Sequence, residues 1–201
     1  MKDIYVYGSG GHAKVIIDII EQAGNLSIKG IIDIENIGSE VFGYKIKSQD
    51  KIPFDNELII GIGNNKIRKK VSLECHLNNL STIIAKFSSI SIRAKVARGT
   101  VIMPGVTVNA MTSIGENCIL NTNCSVDHDC NIGDFVHISP NATLCGQVTI
   151  KEGTHIGAGA TIIPGVTIGE WCTIGAGAII IKDVPDNCVV VGNPGKIIKS
   201  I

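Results

Sequence analysis

The sequence predicts a small α/β domain at the N-terminus and a parallel β-helix in the C-terminal half. Two observations carry this prediction. The first half combines short apolar segments with a glycine-rich loop and an amphipathic segment, as α/β units do. From Ile90 to Ile180 an aliphatic residue occurs at every sixth position without a break. Such a repeat is typical of a solenoid whose short strands each fill one side of a prism. We place a Rossmann-like domain at 1–86 and the β-helix with its tail at 87–201.

The composition supports a narrow repeat rather than an ordinary sandwich core. Of the 201 residues 23 are glycine, whereas aromatic residues make up only 4%. Lys+Arg and Asp+Glu balance at 18 each, so no binding to nucleic acid or to an anionic membrane is predicted. The start, MKDIYVYGSGGHAK, has neither the pattern of a signal peptide nor that of a membrane span. The seven cysteines form no C-x-x-C pair, which favours a reducing cytoplasm.

The N-terminal domain has the layout of a nucleotide-binding unit. A buried strand at 4–7 is followed by GSGGHAK, a helix, a second strand that ends at Asp33, and a third strand that leads through GIGNN into a basic helix at 66–76. Ala13 stands where the fingerprint has its last glycine, and three strands are too few for a full dinucleotide fold. A mononucleotide or nucleotide sugar therefore fits better, although the glycines could serve only a tight turn and His12 could only cap the helix. The predicted nucleotide-sugar residues are Gly8, Ser9, Gly10, Gly11, His12, Asp33, Gly63 and Asn64.

The repeat has a second periodic position, four residues after each aliphatic one, that carries small or short side chains. Examples are Ala94, Thr100, Thr112, Val136, Ala142 and Ala178. Four cysteines, Cys118, Cys124, Cys130 and Cys172, occupy the same position. Free cysteines are among the most often buried residues, so we predict that these four are inert packing thiols.

The order of motifs resembles one family over nearly the whole chain. YGSGGHAKVIIDII, IID, GIGNN, the hexapeptide repeat with VDHDCNIGDFVHISPNATLCGQV, and the closing VVVGNPGK are similar to bacterial sugar O- and N-acetyltransferases of the hexapeptide-repeat superfamily. Members act in sialic acid, legionaminic acid, bacillosamine and perosamine pathways. The resemblance implies a left-handed β-helix with three hexads per coil, acetyl-CoA as cosubstrate, and a homotrimer with active sites between subunits. It also implies a role in cell-surface polysaccharide or glycan biosynthesis.

The histidine-rich stretch at 124–140 is the candidate catalytic region. With 18 residues per coil, His128 stacks on Gly146 about 4.8 Å away on the next coil. A histidine there could take a proton from an attacking amine or hydroxyl, and a glycine N–H could polarise a thioester carbonyl. The resemblance implies His128 as the base, Asp129 as the acid that orients it, and Gly146 as the oxyanion donor. Many relatives have Glu in place of Asp129, so we expect this shorter side chain to reach the imidazole differently or through water.

The resemblance places acetyl-CoA along the later coils, between neighbouring subunits. VVVGNPGK is expected near its adenine and 3′-phosphate, although Pro194 and Gly195 could only turn the chain. For Trp171, ligand stacking and contact with a trimer neighbour stay open. His155 and His76 are predicted to be surface residues. The residues that the resemblance implies for acetyl-CoA binding are His137, Gly146, Ala158, Gly175, Ala176 and Lys196.

These patterns predict an acetyl-CoA-dependent N-acetyltransferase for a UDP- or dTDP-linked 4-amino-deoxy sugar. Transfer is expected to be direct, since the one cysteine beside the site is Cys145 and no cysteine stands where a nucleophile is needed. Two alternatives stay open: an O-acetyltransferase acting on sialic acid or a related sugar, and a non-catalytic nucleotide-sugar-binding partner of a biosynthetic enzyme. A zinc site of His128, His137 and His155 is the rival chemistry. Their spacing of 9 and 18 residues does not resemble that of β-helix carbonic anhydrases, so no metal is predicted.

Overall fold

The computed structural model describes residues 1–48, 56–74 and 79–200, and it consists of an α/β unit followed by a parallel β-solenoid. His76 and the end predicted for the basic helix lie outside the described residues. The elements of the α/β unit are β1 (Lys2–Tyr7), α1 (Gly11–Ala23), β2 (Leu26–Ile32), β3 (Glu40–Val41), β4 (Tyr44–Lys47), β5 (Glu57–Ile60) and α2 (Asn65–Glu74).

The N-terminal sheet has the strand order β3-β4-β2-β1-β5. Strand β1 pairs in parallel with both β2 and β5, and β2 pairs in parallel with β4. The prediction of three strands was wrong, because the short β3 and β4 form an antiparallel hairpin at the edge. That hairpin buries only Ile46, which leaves almost no apolar periodicity to detect.

Helix α1 lies close to the sheet even though alanine replaces the last glycine of the fingerprint. Ala13 is fully buried on the apolar face of α1. A Cβ added to Gly61, just after β5, would lie 2.8 Å from the Cβ of Ala13. The residue that lets the helix approach is therefore a glycine on the sheet side, which compensates for Ala13.

The solenoid consists of two-residue strands separated by short turns. Its strands are β6 (Ile83–Ile84), β7 (Ser89–Ile90), β8 (Lys95–Val96), β9 (Val101–Ile102), β10 (Thr107–Val108), β11 (Ser113–Ile114), β12 (Ile119–Leu120), β13 (Ser125–Val126), β14 (Asn131–Ile132), β15 (His137–Ile138), β16 (Thr143–Leu144), β17 (Thr149–Ile150), β18 (His155–Ile156), β19 (Thr161–Ile162), β20 (Thr167–Ile168), β21 (Thr173–Ile174) and β22 (Ile179–Ile180), followed by β23 (Cys188–Val191) and the antiparallel β24 (Lys196–Ser200).

Residues 18 apart pair in parallel on adjacent coils, as predicted. Ser125 pairs with Thr143, for example, and His137 pairs with His155. The strands build three sheets, one for each face of the prism. The repeating aliphatic residues from Ile102 to Ile180 are at most 3% exposed, so they fill the interior. Solenoid pairing begins with β6, because Ile83 pairs with Val101.

Three corners separate the faces, and each stacks from coil to coil. Corner 1 contains residues 128–129 and 146–147, corner 2 contains 116–117, 134–135, 152–153 and 170–171, and corner 3 contains 140–141, 158–159 and 176–177. The second residue of each of these turns has a positive φ, as in Asp129 and Trp171. This conformation explains why asparagine and glycine recur there.

The inward threonines and cysteines form a hydrogen-bond ladder between coils. The hydroxyl of Thr112 donates to the carbonyl of Asp127 at 2.6 Å and accepts the N–H of Cys130 at 3.1 Å. Thr100 with Cys118 and Thr154 with Cys172 repeat the arrangement. The four cysteines predicted to point inward are buried. Burial raises the pKa of Cys118 and that of Cys124 to about 12, so both thiols stay protonated.

The α/β unit packs on corner 2 and on the face between corners 2 and 3. The side chain of Asn65, at the start of α2, donates to the carbonyl of Gly153 at 3.0 Å. Lys69 forms an ion pair with Glu152 and lies 5.3 Å from the centre of the Trp171 ring. No helix in the described part of the chain is long and apolar enough to cross a membrane.

Candidate active site

His128 lies at corner 1 with its side chain about half exposed. Its Nδ1 is 2.8 Å from Oδ2 of Asp129, so the aspartate reaches the imidazole directly. The positive φ of Asp129, 58°, belongs to the turn that brings the two side chains together. When Nδ1–H donates to this carboxylate, Nε2 carries the lone pair and becomes the atom that can accept a proton.

Two carboxylates raise the pKa of His128 above its ordinary value. The hydrogen bond that His128 donates to Asp129 is the larger cause, and the charge of Asp127 is the next. Asp127 also fixes the turn, because its Oδ1 accepts the backbone N–H of His128 and the side-chain amide of Asn109, each at 2.8 Å. A base with a raised pKa binds the transferred proton more firmly.

Gly146 lies directly against the imidazole ring. A Cβ added to Gly146 would be 2.6 Å from Cε1 and 2.7 Å from Nε2 of His128, so the ring occupies the space of a side chain. Within the described ranges the N–H of Gly146 has no hydrogen-bond acceptor. An unpaired N–H beside the free nitrogen of a histidine can stabilise a developing oxyanion.

A second part of the candidate site is a cleft of about 380 Å³ between the α/β unit and the solenoid. Gly63 and Asn64 of the GIGNN loop form one wall, and His137 and His155 of the face between corners 2 and 3 form another. Trp171 closes it from corner 2. The ring of Trp171 lies against Gly153 and near Nζ of Lys69. Trp171, for which the sequence left ligand stacking and contact with a trimer neighbour open, therefore makes contacts within its own chain.

The histidines of this cleft are half-buried, and burial lowers the pKa of both rings below the ordinary value. The rings of His137 and His155 stack with centroids 4.8 Å apart. His137 Nε2 lies 3.1 Å from the Asn121 amide, and Ser139 Oγ lies 2.7 Å from His155 Nε2. Burial, followed by the charge of His155, lowers the pKa of His137 to about 3. The prediction that His155 is a solvated surface residue was wrong, because the α/β unit covers much of this face.

His12 has a buried Nε2 that finds no hydrogen-bond partner among the residues that the structure describes. Burial lowers its pKa to about 4, and the nearby charge of Arg68 adds to the effect. The ring is therefore neutral at physiological pH and has a polar atom free to bind a ligand.

The other residues predicted to bind a nucleotide lie at one edge of the N-terminal sheet, where the neighbouring strands β2, β1 and β5 end. Asp33 follows β2, and its Oδ2 accepts a hydrogen bond from Ser9 Oγ at 2.6 Å. Gly8 has a φ of 106° and lies after β1, packed against Gly61. The spaces beside Gly10 and Gly11, at the start of α1, are open. A loop of this kind at a helix N-terminus suits phosphate groups.

Comparisons with known proteins agree on the kind of protein. The family described as PglD N-terminal domain matches residues 3–74, and the family of bacterial transferase hexapeptides matches 111–146 and 147–182. The structure of PerB from Caulobacter crescentus in complex with CoA and GDP-perosamine has a TM-score of 0.91 and 31% identity, over 99% of this chain and 98% of that one. The chain belongs to the hexapeptide-repeat family of bacterial sugar acetyltransferases.

Two further relatives agree with this assignment. The acetyltransferase domain of PglB from Neisseria gonorrhoeae, in complex with acetyl coenzyme A, has a TM-score of 0.92 and 33% identity, over 98% of this chain and 99% of that one. UDP-N-acetylbacillosamine N-acetyltransferase of Bacillus subtilis is 36% identical over 113 residues, which are 51% of this chain and 52% of the relative. The chain spans between about a fifth and about half of the length of the curated relatives that it matches.

Of the six residues predicted to bind acetyl-CoA in this sugar acetyltransferase, two lie at corner 3. Ala158 and Ala176 are exposed and stack 18 residues apart, and neither backbone N–H has an acceptor in the part of the chain that the structure describes. Gly175 is half-buried beside Val191. Lys196 lines a cleft of about 420 Å³ at the end of the solenoid. These residues remain predictions, as does contact between His137 and the acetyl group.

The sequence did not single out several residues of this sugar acetyltransferase site. Asn109 anchors Asp127, Asn121 fixes the ring of His137, and Arg68 lies beneath the cleft. Asn109 and Asn121 stack on Asp127 and Ser139 of the next coil, so the 18-residue spacing was a signal that could have found them. Nothing in the basic segment KIRKK distinguishes Arg68 from its solvated neighbours.

The raised pKa of His128 makes a prediction about the pH dependence of this acetyltransferase. The base must be neutral, so kcat/KM should rise as pH increases through the pKa of His128, which lies above the ordinary 6.5. Asp129→Asn keeps a side chain suited to the positive φ but removes the charge, so the rising limb should move to lower pH. Comparing the variant with the wild type under one set of substrates cancels the titration of the acceptor amine.

The control is Asp18→Asn, which removes one exposed carboxylate from α1, away from corner 1. Its profile should superimpose on that of the wild type. A rising limb that stays in place in Asp129→Asn would show that the carboxylate does not set the proton affinity of His128.

Proposed function

We propose that this protein transfers the acetyl group of acetyl-CoA to the amine of a UDP- or dTDP-linked 4-amino-deoxy sugar. The observation that carries the proposal is the arrangement at corner 1, where the free Nε2 of His128 lies beside the unpaired N–H of Gly146. The relatives add support, because PerB binds CoA and GDP-perosamine and the B. subtilis relative is a UDP-N-acetylbacillosamine N-acetyltransferase.

The proposed reaction is a direct acyl transfer without a covalent enzyme intermediate. The lone pair of the sugar amine attacks the thioester carbonyl carbon while His128 Nε2 takes a proton from the amine. The N–H of Gly146 stabilises the oxyanion that forms. When this intermediate collapses, the C–S bond breaks and the departing CoA sulfur takes the proton from the imidazolium. The products are an amide and free CoA thiol, and His128 is again neutral.

The nucleotide sugar is proposed to bind the α/β unit, with its phosphates at Gly8–Gly11 and Asp33 nearby. The sugar would then extend into the cleft between the GIGNN loop and His137. Neutral histidines suit this position, because they add no positive charge that would repel an amine. The orphan Nε2 of His12 is a further hydrogen-bonding group for the ligand.

The active site is proposed to form between the subunits of a homotrimer. His128 and Gly146 are at corner 1, the sugar cleft is at corner 2 and its adjoining face, and Ala158 and Ala176 are at corner 3. Neighbouring corners of one chain are separated by roughly 15 Å of strand. A three-fold arrangement brings a corner of one chain against a different corner of its neighbour and so completes the site.

Acetyl-CoA is proposed to lie along corner 3, with its pantetheine arm near the free N–H groups of Ala158 and Ala176. Its adenine and 3′-phosphate would reach the cleft lined by Lys182 and Lys196. The described cysteines are free, which fits a reducing compartment such as the cytoplasm.

The test is a comparison of acceptors in the presence of acetyl-CoA. UDP- and dTDP-linked 4-amino sugars should give steady thiol release, whereas free sialic acid should give none above the background. Thiol release with sialic acid alone would favour the O-acetyltransferase alternative. No release with any amino sugar would contradict the proposed function.

A further inference from the structure

Arg68 is fully buried, with 1% of its surface exposed, and every N–H of its guanidinium has an acceptor. Nε donates to the carbonyl of Asn117 at 2.7 Å, and Nη2 donates to the carbonyl of Phe135 at 2.9 Å. These two carbonyls are at corner 2 on consecutive coils of the solenoid. Two of the five guanidinium N–H groups thus donate to the β-helix.

The other three guanidinium N–H groups donate to the loop that lines the sugar cleft. Nη1 donates to the carbonyls of Ile62 and Gly63 at 3.0 and 3.1 Å, and Nη2 also donates to Oδ1 of Asn65 at 2.8 Å. A single side chain therefore connects the GIGNN loop to two coils of the solenoid. The five acceptors belong to three separate segments of the chain, and the planar fork of an arginine can bind all of them at once.

Asn65 completes the connection. Its Nδ2 donates to the carbonyl of Gly153 at 3.0 Å and lies 3.4 Å from that of Thr154, while its Oδ1 binds Arg68. The polar atoms of both side chains are thus used within the protein, so neither residue has a hydrogen bond to offer a ligand. Their effect on the cleft is exerted through the loop carbonyls and the backbone that carries Gly63 and Asn64.

Among the described residues, no carboxylate accepts a hydrogen bond from the guanidinium. Burial lowers the pKa of Arg68 to about 10, which leaves it protonated at neutral pH. Its acceptors are carbonyl and amide oxygens, and its charge contributes to the lowered pKa of His12, His137 and His155. Keeping a buried cation at this position is costly, which argues for a role beyond filling space.

We propose that Arg68 is a positioning residue that holds the sugar-binding loop in register with the solenoid, and that Asn65 is its partner. This inference rests on the proposed function, because it assigns the loop of that site a fixed position relative to the base supplied by a neighbouring chain. A base and an acceptor amine react only when their separation is correct. A loop that is free to shift on the solenoid would still bind CoA but would present the sugar poorly.

The test compares Arg68→Lys and Asn65→Ala with Lys69→Met in the full-length protein. Lysine has three donors and leaves at least two of the five acceptors without a partner. Lys69 follows Arg68 on α2 and crosses the same interface, where its side chain pairs with Glu152 and lies near the rings of Phe135 and Trp171, so Lys69→Met is the matched control. Asn65→Ala is the milder change and decides the question if Arg68→Lys does not fold.

Two measurements separate positioning from general stability. In the two test variants, kcat/KM for the nucleotide sugar should fall about 10- to 100-fold while KM for acetyl-CoA stays within about twofold. Amide hydrogen exchange of these two variants, measured without ligand, should become faster than in the wild type in the segment 61–65 and stay unchanged at corner 1. Lys69→Met should alter neither quantity.

Folded variants with an unchanged kcat/KM for the sugar would overturn the inference, and so would a fall in kcat/KM together with a rise in KM for acetyl-CoA that Lys69→Met shares. Hydrogen exchange needs no substrate and therefore separates the inference from the proposed function. If the wild type acetylated no amino sugar, the proposed function would fail, and unchanged exchange in segment 61–65 of the variants would refute the connection independently.

Discussion

Replacing His128 with alanine is expected to lower kcat about 10²- to 10⁴-fold, the range that a positioned general base contributes. At corner 1 the imidazole offers Nε2 as a free nitrogen, whereas the carboxylate of Asp129 accepts the hydrogen bond of Nδ1–H. Because the side chain is half exposed, its removal leaves no buried cavity, and the fold should be retained. The measurement is steady-state thiol release from acetyl-CoA with a nucleotide-linked amino sugar.

The control for this variant is binding of acetyl-CoA, measured by calorimetric titration. The affinity should stay within a few-fold of the wild type, since His128 acts on the proton of the acceptor and does not hold the cosubstrate. Near-wild-type turnover by His128→Ala would contradict the assignment of the base. Loss of acetyl-CoA binding together with activity would instead indicate a binding role.

The second large effect is expected from Gly146→Ala, which keeps the backbone N–H and adds one methyl group. That methyl would lie 2.6 Å from Cε1 of His128, closer than carbon atoms approach, so the ring must move. A displacement of about 1 Å at a reacting group can lower the rate about 10²-fold. We expect a loss of this size in kcat, with little change in the melting temperature.

The double variant His128→Ala/Gly146→Ala shows whether the clash is the cause. The three atoms nearest to the added methyl all belong to the His128 ring, so once the ring is removed the second substitution should lower the residual rate little further. Strongly non-additive effects of this kind are expected for residues that act as a unit. Additive losses would mean that Gly146 acts by another route than its contact with His128.

The sequence was sufficient to predict the solenoid because its core is specified locally. Each coil buries the same two positions of every hexad. The spacing of the aliphatic residues from Ile102 to Ile180 is therefore enough to predict a solenoid. Combined with the three hexads per coil that the family resemblance implies, this spacing gives the residues that stack, and it placed His128 against Gly146. That part of the candidate site follows from periodicity and the resemblance together.

The docking of the α/β unit could not be predicted in this way. The hexad pattern tells which side chains point outward, but not which outer face another part of the chain covers. His155 points outward and was expected to be solvated, yet it lies under the α/β unit and stacks on His137. Trp171 at corner 2 is covered in part by Lys69 for the same reason.

Arg68 illustrates the limit most clearly. In KIRKK it is one of four basic residues on an amphipathic helix, and solvation is the ordinary fate of such side chains. Its burial depends on carbonyls at Asn117 and Phe135, about 50 and 67 positions away along the chain. Only the three-dimensional structure brings these acceptors together. The compensation of Ala13 by Gly61 is a similar case, because the need for glycine at position 61 follows from its contact with the Cβ of Ala13, which the sequence alone does not show.

The most direct test of the account is the chemical identity of the bond formed on the acceptor. Purified protein, acetyl-CoA and a UDP- or dTDP-linked 4-amino sugar should yield a product one acetyl group heavier by mass spectrometry, and the group should survive treatment with alkaline hydroxylamine, which removes O-acetyl esters, because it is an amide. His128→Ala should give this product at a strongly reduced rate. An acetyl group that hydroxylamine removes, or no mass increase with any amino sugar, would contradict transfer to an amine by this site.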